Sequence, residues 1–281
     1  MLTIPIIFTP HPLLSVIFPL MSIYPKFFVS LQAAKVASFR LTFQQCGTNF
    51  IRKKMLIVIE GLDGSGKSTQ VRKLRQYLET LPQPLEYIHF PRYDSPVYGE
   101  LISRFLRGDF GTNEQVHPQL VALLFAEDRH GAAPQMKRIL QEGGNVLLDR
   151  YVYSNIAYQC AKLRNPDEAE DLREWICNTE YGNFELPRPD LNIFLDVPIG
   201  FVEKKLSSSR RGGDRDYLEG GHDIHEASIE FQKSVRSMYL RQCRTDSHFI
   251  RIDCSDADGA MLPPDEIFAK IKAEVDSVLG L

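Results

Sequence analysis

Gly61-Leu62-Asp63-Gly64-Ser65-Gly66-Lys67-Ser68 decides the fold of this chain, because it fits the pattern G-x-x-x-x-G-K-[ST] without adjustment. An apolar run at residues 55–59 precedes it and a helical pattern follows, which is the context that the motif requires. The glycines let successive backbone N–H groups turn toward one anion, and the positive end of the following helix adds to that field. The pattern therefore predicts a site for a nucleoside triphosphate.

Within that loop, Lys67 is expected to contact the β- and γ-phosphates, and the Ser68 hydroxyl is expected to contact Mg²⁺. The predicted ATP-binding residues are Gly61, Leu62, Asp63, Gly64, Ser65, Gly66, Lys67, Ser68 and Thr69. By average residue usage, the pattern arises by chance in about one chain of this size in a hundred.

The phosphate-binding loop alone does not separate a kinase from a GTPase switch or a motor ATPase. A GTPase would carry Asn-Lys-x-Asp, and no Asn of this chain is followed by Lys. A motor ATPase would place two acids after its second core strand, whereas residues 145–148 are followed by Asp149 and Arg150. A cation at the carboxyl end of such a strand suits an anionic phosphoryl acceptor. The alternative for Arg150 is a surface ion pair with Asp149 or another neighbour.

From Met55 onward, short β-branched runs alternate with longer helical patterns, which indicates an α/β fold. The expected architecture is a P-loop kinase fold with a mostly parallel five-stranded sheet flanked by helices. Strands are predicted at residues 55–60, 85–90, 145–149, 191–197 and 248–253. Helices are predicted at 66–80, 96–107, 117–142, 154–163, 167–179, 199–207, 224–243 and 264–278. Residues 55–281 are predicted to form one domain. Within it, residues 207–221, rich in Gly and Arg, are predicted to form a short lid.

Charge is distributed unevenly along the 281 residues. Six of the 33 basic residues precede Met55, whereas no acid precedes Glu60, so residues 55–281 hold 27 basic and all 36 acidic residues. An acidic body that handles phosphates must concentrate positive charge in a cleft. Nucleic-acid binding, which needs a broad basic face, is not expected.

Residues 1–54 form an extension with different properties from the rest of the chain. Prolines at positions 5, 10, 12 and 19 interrupt its apolar start, so a membrane-spanning helix is not expected there. The first cation is Lys26, which does not fit a secretory signal. The favoured interpretation is a poorly ordered extension without a catalytic role; the alternative is targeting or membrane contact. The five cysteines lack paired spacing, which fits a reducing, cytoplasmic location.

Five separated motifs, in order, make residues 55 to about 240 resemble bacterial thymidylate kinases. The motifs are Phe90-Pro91-Arg92-Tyr93, residues 124–129 (LFAEDR), Asp149-Arg150-Tyr151, Ser154-Asn155 with Tyr158, and residues 186–190 (LPRPD). The resemblance implies transfer of the γ-phosphoryl group of ATP to dTMP, with Mg²⁺ as cofactor. It also implies a homodimer.

The resemblance further implies roles for single residues of the acceptor site. Phe125 would stack on thymine and Arg129 would donate to its O4; the alternative is a core Phe125 and a solvated Arg129 paired with Asp128. Asn155 would contact the base edge, and Tyr158 would pack near C2′ of the deoxyribose. The acceptor phosphate would be held by Arg92 and Arg150, with Phe90 and Tyr93 lining the site. Asp63 would serve the 3′-hydroxyl and the metal region.

The resemblance also bears on the region after the predicted lid. Asp223 and Glu226 match acids beside the nucleotide site, and the predicted metal residues are Ser68, Asp63 and Glu226. The alternative is that Asp223 and Glu226 form a capping box at a helix start. Because the phosphate-binding loop carries no arginine, the catalytic cation would come from the lid, where Arg210, Arg211 and Arg215 lie. The spacing of Arg211 and Arg215 resembles that of members with a lid arginine.

Lys67, Arg150, Arg211 and Arg215 are therefore the predicted catalytic residues. Phosphoryl transfer requires positioning and charge neutralisation rather than a protein nucleophile. Two other functions remain open from the sequence. One is a kinase for a different nucleoside or nucleoside monophosphate, and the other is a non-kinase ATP-binding module.

Overall fold

The computed structural model describes residues 54–207, 217–218, 223–226 and 228–281. A five-stranded sheet lies at the centre, in the order β2-β3-β1-β4-β5. All four neighbouring pairs of strands are parallel. The strands are β1 (Leu56–Gly61), β2 (Leu85–His89), β3 (Asn145–Asp149), β4 (Leu191–Asp196) and β5 (Phe249–Asp253).

The central strand β1 is buried along its whole length, as expected of a parallel strand covered on both faces. Its side chains alternate between the two faces of the sheet. Ile57 and Ile59 belong to one hydrophobic cluster, and Leu56 and Val58 belong to another. The apolar run before the phosphate-binding loop therefore supplies both halves of the core.

Eight α-helices lie within the described residues and flank this sheet. They are α1 (Lys67–Leu78), α2 (Tyr98–Leu106), α3 (Pro118–Gln141), α4 (Val152–Cys160), α5 (Pro166–Cys177), α6 (Ile199–Ser207), α7 (Ile229–Thr245) and α8 (Pro264–Leu279). Helices α1 and α8 pack beside Ile57 and Ile59, while α3, α4 and α5 pack beside Leu56 and Val58. Both faces of the sheet are thus covered.

The predicted α/β architecture is confirmed, with all of its five strands parallel. The largest shift of a boundary concerns the helix predicted to begin at residue 224. Helix α7 begins at Ile229, because the Ser228 side chain accepts the Phe231 N–H and caps it. A short π-helix, Asn178–Asn183, follows α5 and was not predicted. Among the described residues, no helix has both the length and the apolar character needed to cross a bilayer.

The parallel arrangement brings three motifs to one edge of the sheet. The phosphate-binding loop follows β1, Phe90 follows β2 and Arg150 follows β3. Ligands of open α/β sheets bind at the carboxyl ends of the strands. A crevice at this edge contains most of the predicted site residues.

Candidate active site

The phosphate-binding loop joins β1 to α1 through two glycines in the left-handed region. Gly64 has φ 75° and Gly66 has φ 80°, conformations that glycine adopts without the penalty a Cβ would impose. Gly66 is the N-cap of α1, so the helix begins at Lys67 with its free N–H groups facing the loop. The loop therefore provides the anion site that the motif predicts.

Lys67 lies against Asp149 at the end of β3, with Nζ 3.6 Å from Oδ1. Their side chains are only 10% and 4% exposed. Burial and the nearby Arg150 lower the pKa of Lys67. Burial would raise the pKa of Asp149, but Lys67, His89 and Arg150 together hold that pKa well below its usual value. The two groups are therefore an ion pair beside the loop.

Arg150 adopts a left-handed backbone conformation, with φ 68°, which is unfavourable for a residue with a side chain. Its N–H donates to the Ile59 carbonyl at 3.0 Å, which ties it to β1. Its guanidinium donates through Nη2 to Asp63 Oδ1 at 2.5 Å and through Nη1 to the Gly61 carbonyl at 3.1 Å. Arg150 is thus a largely buried cation at the loop whose ion-pair partner is Asp63, so the alternative of a surface ion pair with Asp149 or another neighbour is wrong.

Asp63 accepts hydrogen bonds from three side chains. Besides Arg150, Tyr158 donates its hydroxyl to Oδ2 at 2.7 Å and Gln232 donates Nε2 at 3.2 Å. Burial would raise the pKa of Asp63, but Arg150 and Lys67 lower it to about 2. Asp63 is therefore ionised at neutral pH, and it joins the loop to α4 and α7.

One cavity, the phosphate cavity, opens over the phosphate-binding loop. Its lining includes Asp63, Gly64, Ser65, Gly66, Lys67, Ser68, Thr69, Asp149, Arg150 and Glu226. Leu62 is buried instead, 1% exposed, and packs in the core. Gly61 contributes the carbonyl that Arg150 contacts. Seven of the nine predicted ATP-binding residues thus line one cavity.

A second space, the nucleoside cavity, adjoins the first. Its lining includes Phe90, Tyr93, Phe125, Arg129, Asn155, Tyr158, Asp223 and His225. Phe125 and Arg129 share one face of α3, and Asn155 and Tyr158 share one face of α4, as their spacing predicts. Asp63, Pro91, Tyr93, Arg150 and Tyr217 line both cavities. A molecule in one cavity would therefore lie directly beside a molecule in the other.

Arg129 is 2% exposed and forms a two-point ion pair with Glu180 of the π-helix. Its Nε and Nη2 donate to Oε2 at 2.5 Å and to Oε1 at 2.7 Å. The alternative of a solvated Arg129 paired with Asp128 is therefore wrong. Phe125 packs edge-on against Phe105 while it lines the nucleoside cavity.

Asn155 is also held from the side away from the nucleoside cavity. Its Nδ2 donates to the Ala122 carbonyl and to Glu180 Oε1, both at 2.9 Å. Its Oδ1 is buried and accepts no hydrogen bond from any described residue. The acceptor of this amide is thus available to a ligand.

Arg92 is the one predicted acceptor-site residue in the described segments that lies outside both cavities. Its Nε donates to Asp128 Oδ1 at 3.0 Å and its Nη2 donates to the Asp128 carbonyl. The Asp128 carboxylate also accepts the Arg92 N–H at 2.8 Å. The predicted contact of Arg92 with the acceptor phosphate is therefore not present in this conformation.

Three further residues complete the junction of the two cavities. Tyr217 stacks on Tyr93, with ring centroids 4.0 Å apart, and donates its hydroxyl to Asp223 Oδ2 at 2.6 Å. Asp223 Oδ1 accepts the His225 N–H at 2.7 Å. Residues 223–226 form a turn ahead of α7, so the alternative of a capping box at Asp223 and Glu226 is wrong.

Sequence reasoning missed Tyr217, Gln232 and Glu180. Tyr217 could have been found, since it is one of few apolar side chains within the Arg- and Gly-rich segment. Gln232 and Glu180 carry no sequence signal, because each reaches the site from a distant part of the chain. The predicted lid arginines Arg210, Arg211 and Arg215 lie outside the described residues.

The phosphate cavity offers oxygen ligands that suit Mg²⁺. The Ser68 hydroxyl and the carboxylates of Asp149 and Glu226 line it, and Asp149 Oδ1 accepts no hydrogen bond within the described segments. Asp63 suits the metal less well, since Arg150, Tyr158 and Gln232 already donate to it. The described residues contain no cluster of three His, Cys, Asp or Glu side chains placed for a metal. Mg²⁺ commonly binds through one or two protein oxygens together with substrate phosphates, so the donors present fit it.

Comparisons with known proteins agree with this geometry. The family model described as thymidylate kinase matches residues 59–260. A thymidylate kinase of Danio rerio is 36% identical over 67% of this chain and 76% of its own length. One of Plasmodium falciparum is 31% identical over 73% of this chain and 84% of its own length. The solved structure of thymidylate kinase from Candida albicans, 28% identical, superposes with a TM-score of 0.60 and covers 81% of this chain and 94% of that one.

Proposed function

The chain belongs to the thymidylate kinase family and transfers the γ-phosphoryl group of ATP to dTMP, and we propose that it does so across the junction of the two cavities. The observation that carries this proposal is the set of shared lining residues. Asp63, Tyr93 and Arg150 face both the phosphate-binding loop and the nucleoside cavity. Donor and acceptor phosphates would therefore meet beside a buried cation. Products of the transfer are ADP and dTDP.

On the donor side, the loop and Lys67 would hold the phosphates of ATP. The loop N–H groups and the start of α1 supply positive potential, and Lys67 adds a full charge next to them. Mg²⁺ would be held by Ser68 with Glu226 or Asp149, directly or through water. When bound, it would neutralise charge on the donor phosphates.

On the acceptor side, Arg150 would hold the phosphate of dTMP. It lies at the junction, and its contacts with Gly61 and Ser154 fix its position. Tyr93, which lines both cavities, would lie beside the same phosphate. Arg92 could contribute only if its guanidinium left Asp128. Asp63 would accept a hydrogen bond from the 3′-hydroxyl of the sugar.

In the nucleoside cavity, the thymine ring would stack on Phe125. Arg129 would donate to O4, and Asn155 would accept from N3–H through its unpaired Oδ1. Tyr158, held by its hydrogen bond to Asp63, would pack near C2′ of the deoxyribose. The lid arginines Arg211 and Arg215, with Arg210, would close over the transferred group and exclude water.

The test is a panel of acceptors assayed for ADP release with Mg-ATP. We expect ADP release with dTMP. The value of kcat/KM should be at least about 10²-fold lower with dCMP, dAMP and thymidine, because only dTMP matches both the base contacts and the phosphate site. A Lys67→Ala sample gives the background. ADP release that does not depend on the acceptor, or a preference for another monophosphate, would contradict the proposal.

We further propose that residues 55–281 form the whole catalytic domain and that residues 1–54 are dispensable. The first strand of the described residues begins at Leu56, and the described residues that line both cavities follow it. A protein that begins at Met55 should retain kcat/KM for dTMP within about threefold of the full chain. A loss beyond about tenfold, roughly 1.4 kcal/mol, would contradict this.

A cytoplasmic homodimer is the proposed state of the enzyme. Leu120 and Leu123, three apart on α3 and so on one face of it, are 66% and 37% exposed. Apolar side chains grouped on one surface commonly mark protein contacts. Sedimentation velocity should give twice the mass of the chain, and a monomer at micromolar concentration would overturn this part of the proposal.

A further inference from the structure

Glu180 is the most completely enclosed carboxylate of the nucleoside site, and no sequence motif points to it. It lies on the π-helix Asn178–Asn183 and is 0% exposed. Short π-helical segments are frequent at functional sites. Glu180 does not line either cavity, yet two of the predicted base contacts, Arg129 and Asn155, hydrogen-bond to it.

We propose that Glu180 is a positioning residue that fixes the donor–acceptor order of the side chains facing the base, and thereby sets the preference for thymine over cytosine. The inference rests on the proposed function of the nucleoside cavity and deepens it. Glu180 acts through Arg129 and Asn155, without contact to the substrate.

The geometry carries this inference because an ionised carboxylate has acceptors only. Arg129 must turn Nε and Nη2 toward Glu180, at 2.5 and 2.7 Å, and its Nη1 forms no hydrogen bond to a described residue. Asn155 must turn Nδ2 toward Glu180, at 2.9 Å, which directs Oδ1 to the other side. The carboxylate thus leaves one donor and one acceptor for the base.

The reversed orientation of Asn155 is disfavoured twice. A flipped amide would place Oδ1 against the Glu180 carboxylate, acceptor against acceptor. It would also lose the 2.9 Å hydrogen bond from Nδ2 to the Ala122 carbonyl. With Glu180 paired to Arg129 at two points, Asn155 therefore presents an acceptor to the ligand.

This order matches one pyrimidine and opposes the other. Thymine offers the acceptor O4 next to the donor N3–H, so Arg129 and Asn155 both find partners. Cytosine offers the N4 amino donor next to the unprotonated N3 acceptor. Cytosine would therefore meet a donor with a donor at Arg129 and an acceptor with an acceptor at Asn155. The mismatch at Asn155 depends on the orientation that Glu180 imposes, whereas the mismatch at Arg129 follows from its donor-only guanidinium.

The test is Glu180→Gln, which keeps the shape of the side chain but replaces one acceptor oxygen with a donor NH₂. A flipped Asn155 could accept a hydrogen bond from that NH₂ through Oδ1. The donor–acceptor order of the side chains facing the base is then no longer fixed. We expect the ratio of kcat/KM for dTMP to that for dCMP to fall at least about tenfold. The change should be mainly in KM, because contacts to the base are equally present in ground and transition states.

The matched control is Asp196→Asn. Asp196, at the end of β4 and outside both cavities, is also a buried carboxylate, 2% exposed. It has two arginine partners, Arg236 and Arg251. Its loss should lower stability and leave the dTMP to dCMP ratio within twofold of the parent. A purely structural role for Glu180 would make its variant behave like this control, with an unchanged ratio, and that result would overturn the inference.

Glu180→Asp provides the second variant if Glu180→Gln does not fold. Aspartate keeps an acceptor-only group, so kcat/KM should fall for both substrates together and their ratio should stay within about threefold. A Glu180→Asp protein with a collapsed ratio would overturn the inference. A parent enzyme with no preference for dTMP would instead overturn the proposed function, so the two failures are distinguishable.

Discussion

The two cavities of the cleft hold their arginine and lysine side chains in different ways. In the phosphate cavity, Lys67 and Asp149 are 3.6 Å apart, and Arg150 contacts Asp63, the Gly61 carbonyl and Ser154. In the nucleoside cavity, Arg129 has a single partner group, Glu180, bound at two points with side chains 3% and 0% exposed. Arg150 lines both cavities and contacts several groups around the loop, whereas Arg129 is held in one orientation by a single carboxylate.

This difference suits the two tasks of the enzyme. A phosphoryl group carries charge that shifts during transfer, so cations there must bind phosphate in place of, or in addition to, the protein carboxylates. A base is neutral and is recognised by the direction of its donors and acceptors, so its partners must not rotate. Substitutions in the phosphate cavity should therefore alter rate, and those in the nucleoside cavity should alter selectivity.

The largest effect is expected for Lys67→Ala, which removes the only lysine of the phosphate-binding loop, residues 61–68. The substitution should lower kcat for dTMP phosphorylation by about 10²–10³-fold or more, since the charge on the transferring group loses its nearest fixed cation. Lys73→Ala, on the side of the same helix that contacts α8 and outside both cavities, should stay within about threefold of the parent. Steady-state kinetics on both proteins measures this, and equal losses would contradict a local role for Lys67.

Arg150→Ala is expected to be next, with a different kinetic signature. The acceptor phosphate loses its cation, so the KM for dTMP should rise at least about tenfold and kcat should fall, while the KM for ATP changes little. Because Arg150 also contacts Asp63, thermal unfolding should be recorded for the same sample. Unchanged dTMP kinetics in a folded variant would show that the acceptor phosphate binds elsewhere.

Arg129→Gln should have a smaller effect on rate and a clear one on base choice. An arginine can only donate, whereas a glutamine amide can turn and offer its oxygen to the N4 amino group of cytosine. An unpaired buried group costs about 1–3 kcal/mol, so the parent should prefer dTMP over dCMP by roughly 10²-fold. In Arg129→Gln, the ratio of kcat/KM for dTMP to that for dCMP should fall at least about tenfold.

The control for that comparison is Arg188→Gln, since Arg188 stacks on Tyr181 and lies outside both cavities. Its dTMP to dCMP ratio should equal that of the parent. If the dTMP to dCMP ratio of kcat/KM is also unchanged in Arg129→Gln, the base is not recognised through Arg129. The nucleoside cavity would then not be the cavity that sets selectivity.

The sequence predicts the parts of the site that lie close together along the chain. The phosphate-binding loop follows from a local pattern, and the pairs Phe125 with Arg129 and Asn155 with Tyr158 follow from helical spacing. The sequence does not predict which charges pair across the fold. Asp128 and Arg129 are adjacent, but consecutive helix residues point in different directions, so Asp128 contacts Arg92 and Arg129 contacts Glu180.

The start of α7 and the contacts of Gln232 were not predicted either. A helix was expected from residue 224, yet Ser228 caps α7 and the helix begins at Ile229. Gln232, a polar residue on a helix, would be assigned to the surface from sequence alone. Only the packing of α7 beside the loop brings its amide to Asp63 and the His225 carbonyl.

The smallest expected effect concerns Lys162, which lies behind the nucleoside cavity. Its Nζ is buried without a hydrogen-bond partner among the described residues and lies 4.9 Å from the centroid of the Phe105 ring. Burial lowers the pKa of Lys162 to about 7, from 10.5 for a solvated lysine. Between these two pH values the unfolded chain holds the proton and the folded chain does not, so raising the pH removes a cost of folding.

Lys162→Met should therefore be more stable than the parent at pH 6.5, and the difference should shrink toward pH 9.5. A gain of about 1 kcal/mol corresponds to roughly 2–4 °C in Tm for a domain of this size. Lys137→Met, which removes a half-exposed lysine, should show no such dependence on pH. If the difference in Tm between Lys162→Met and the parent is constant from pH 6.5 to 9.5, then Lys162 keeps its charge in the fold.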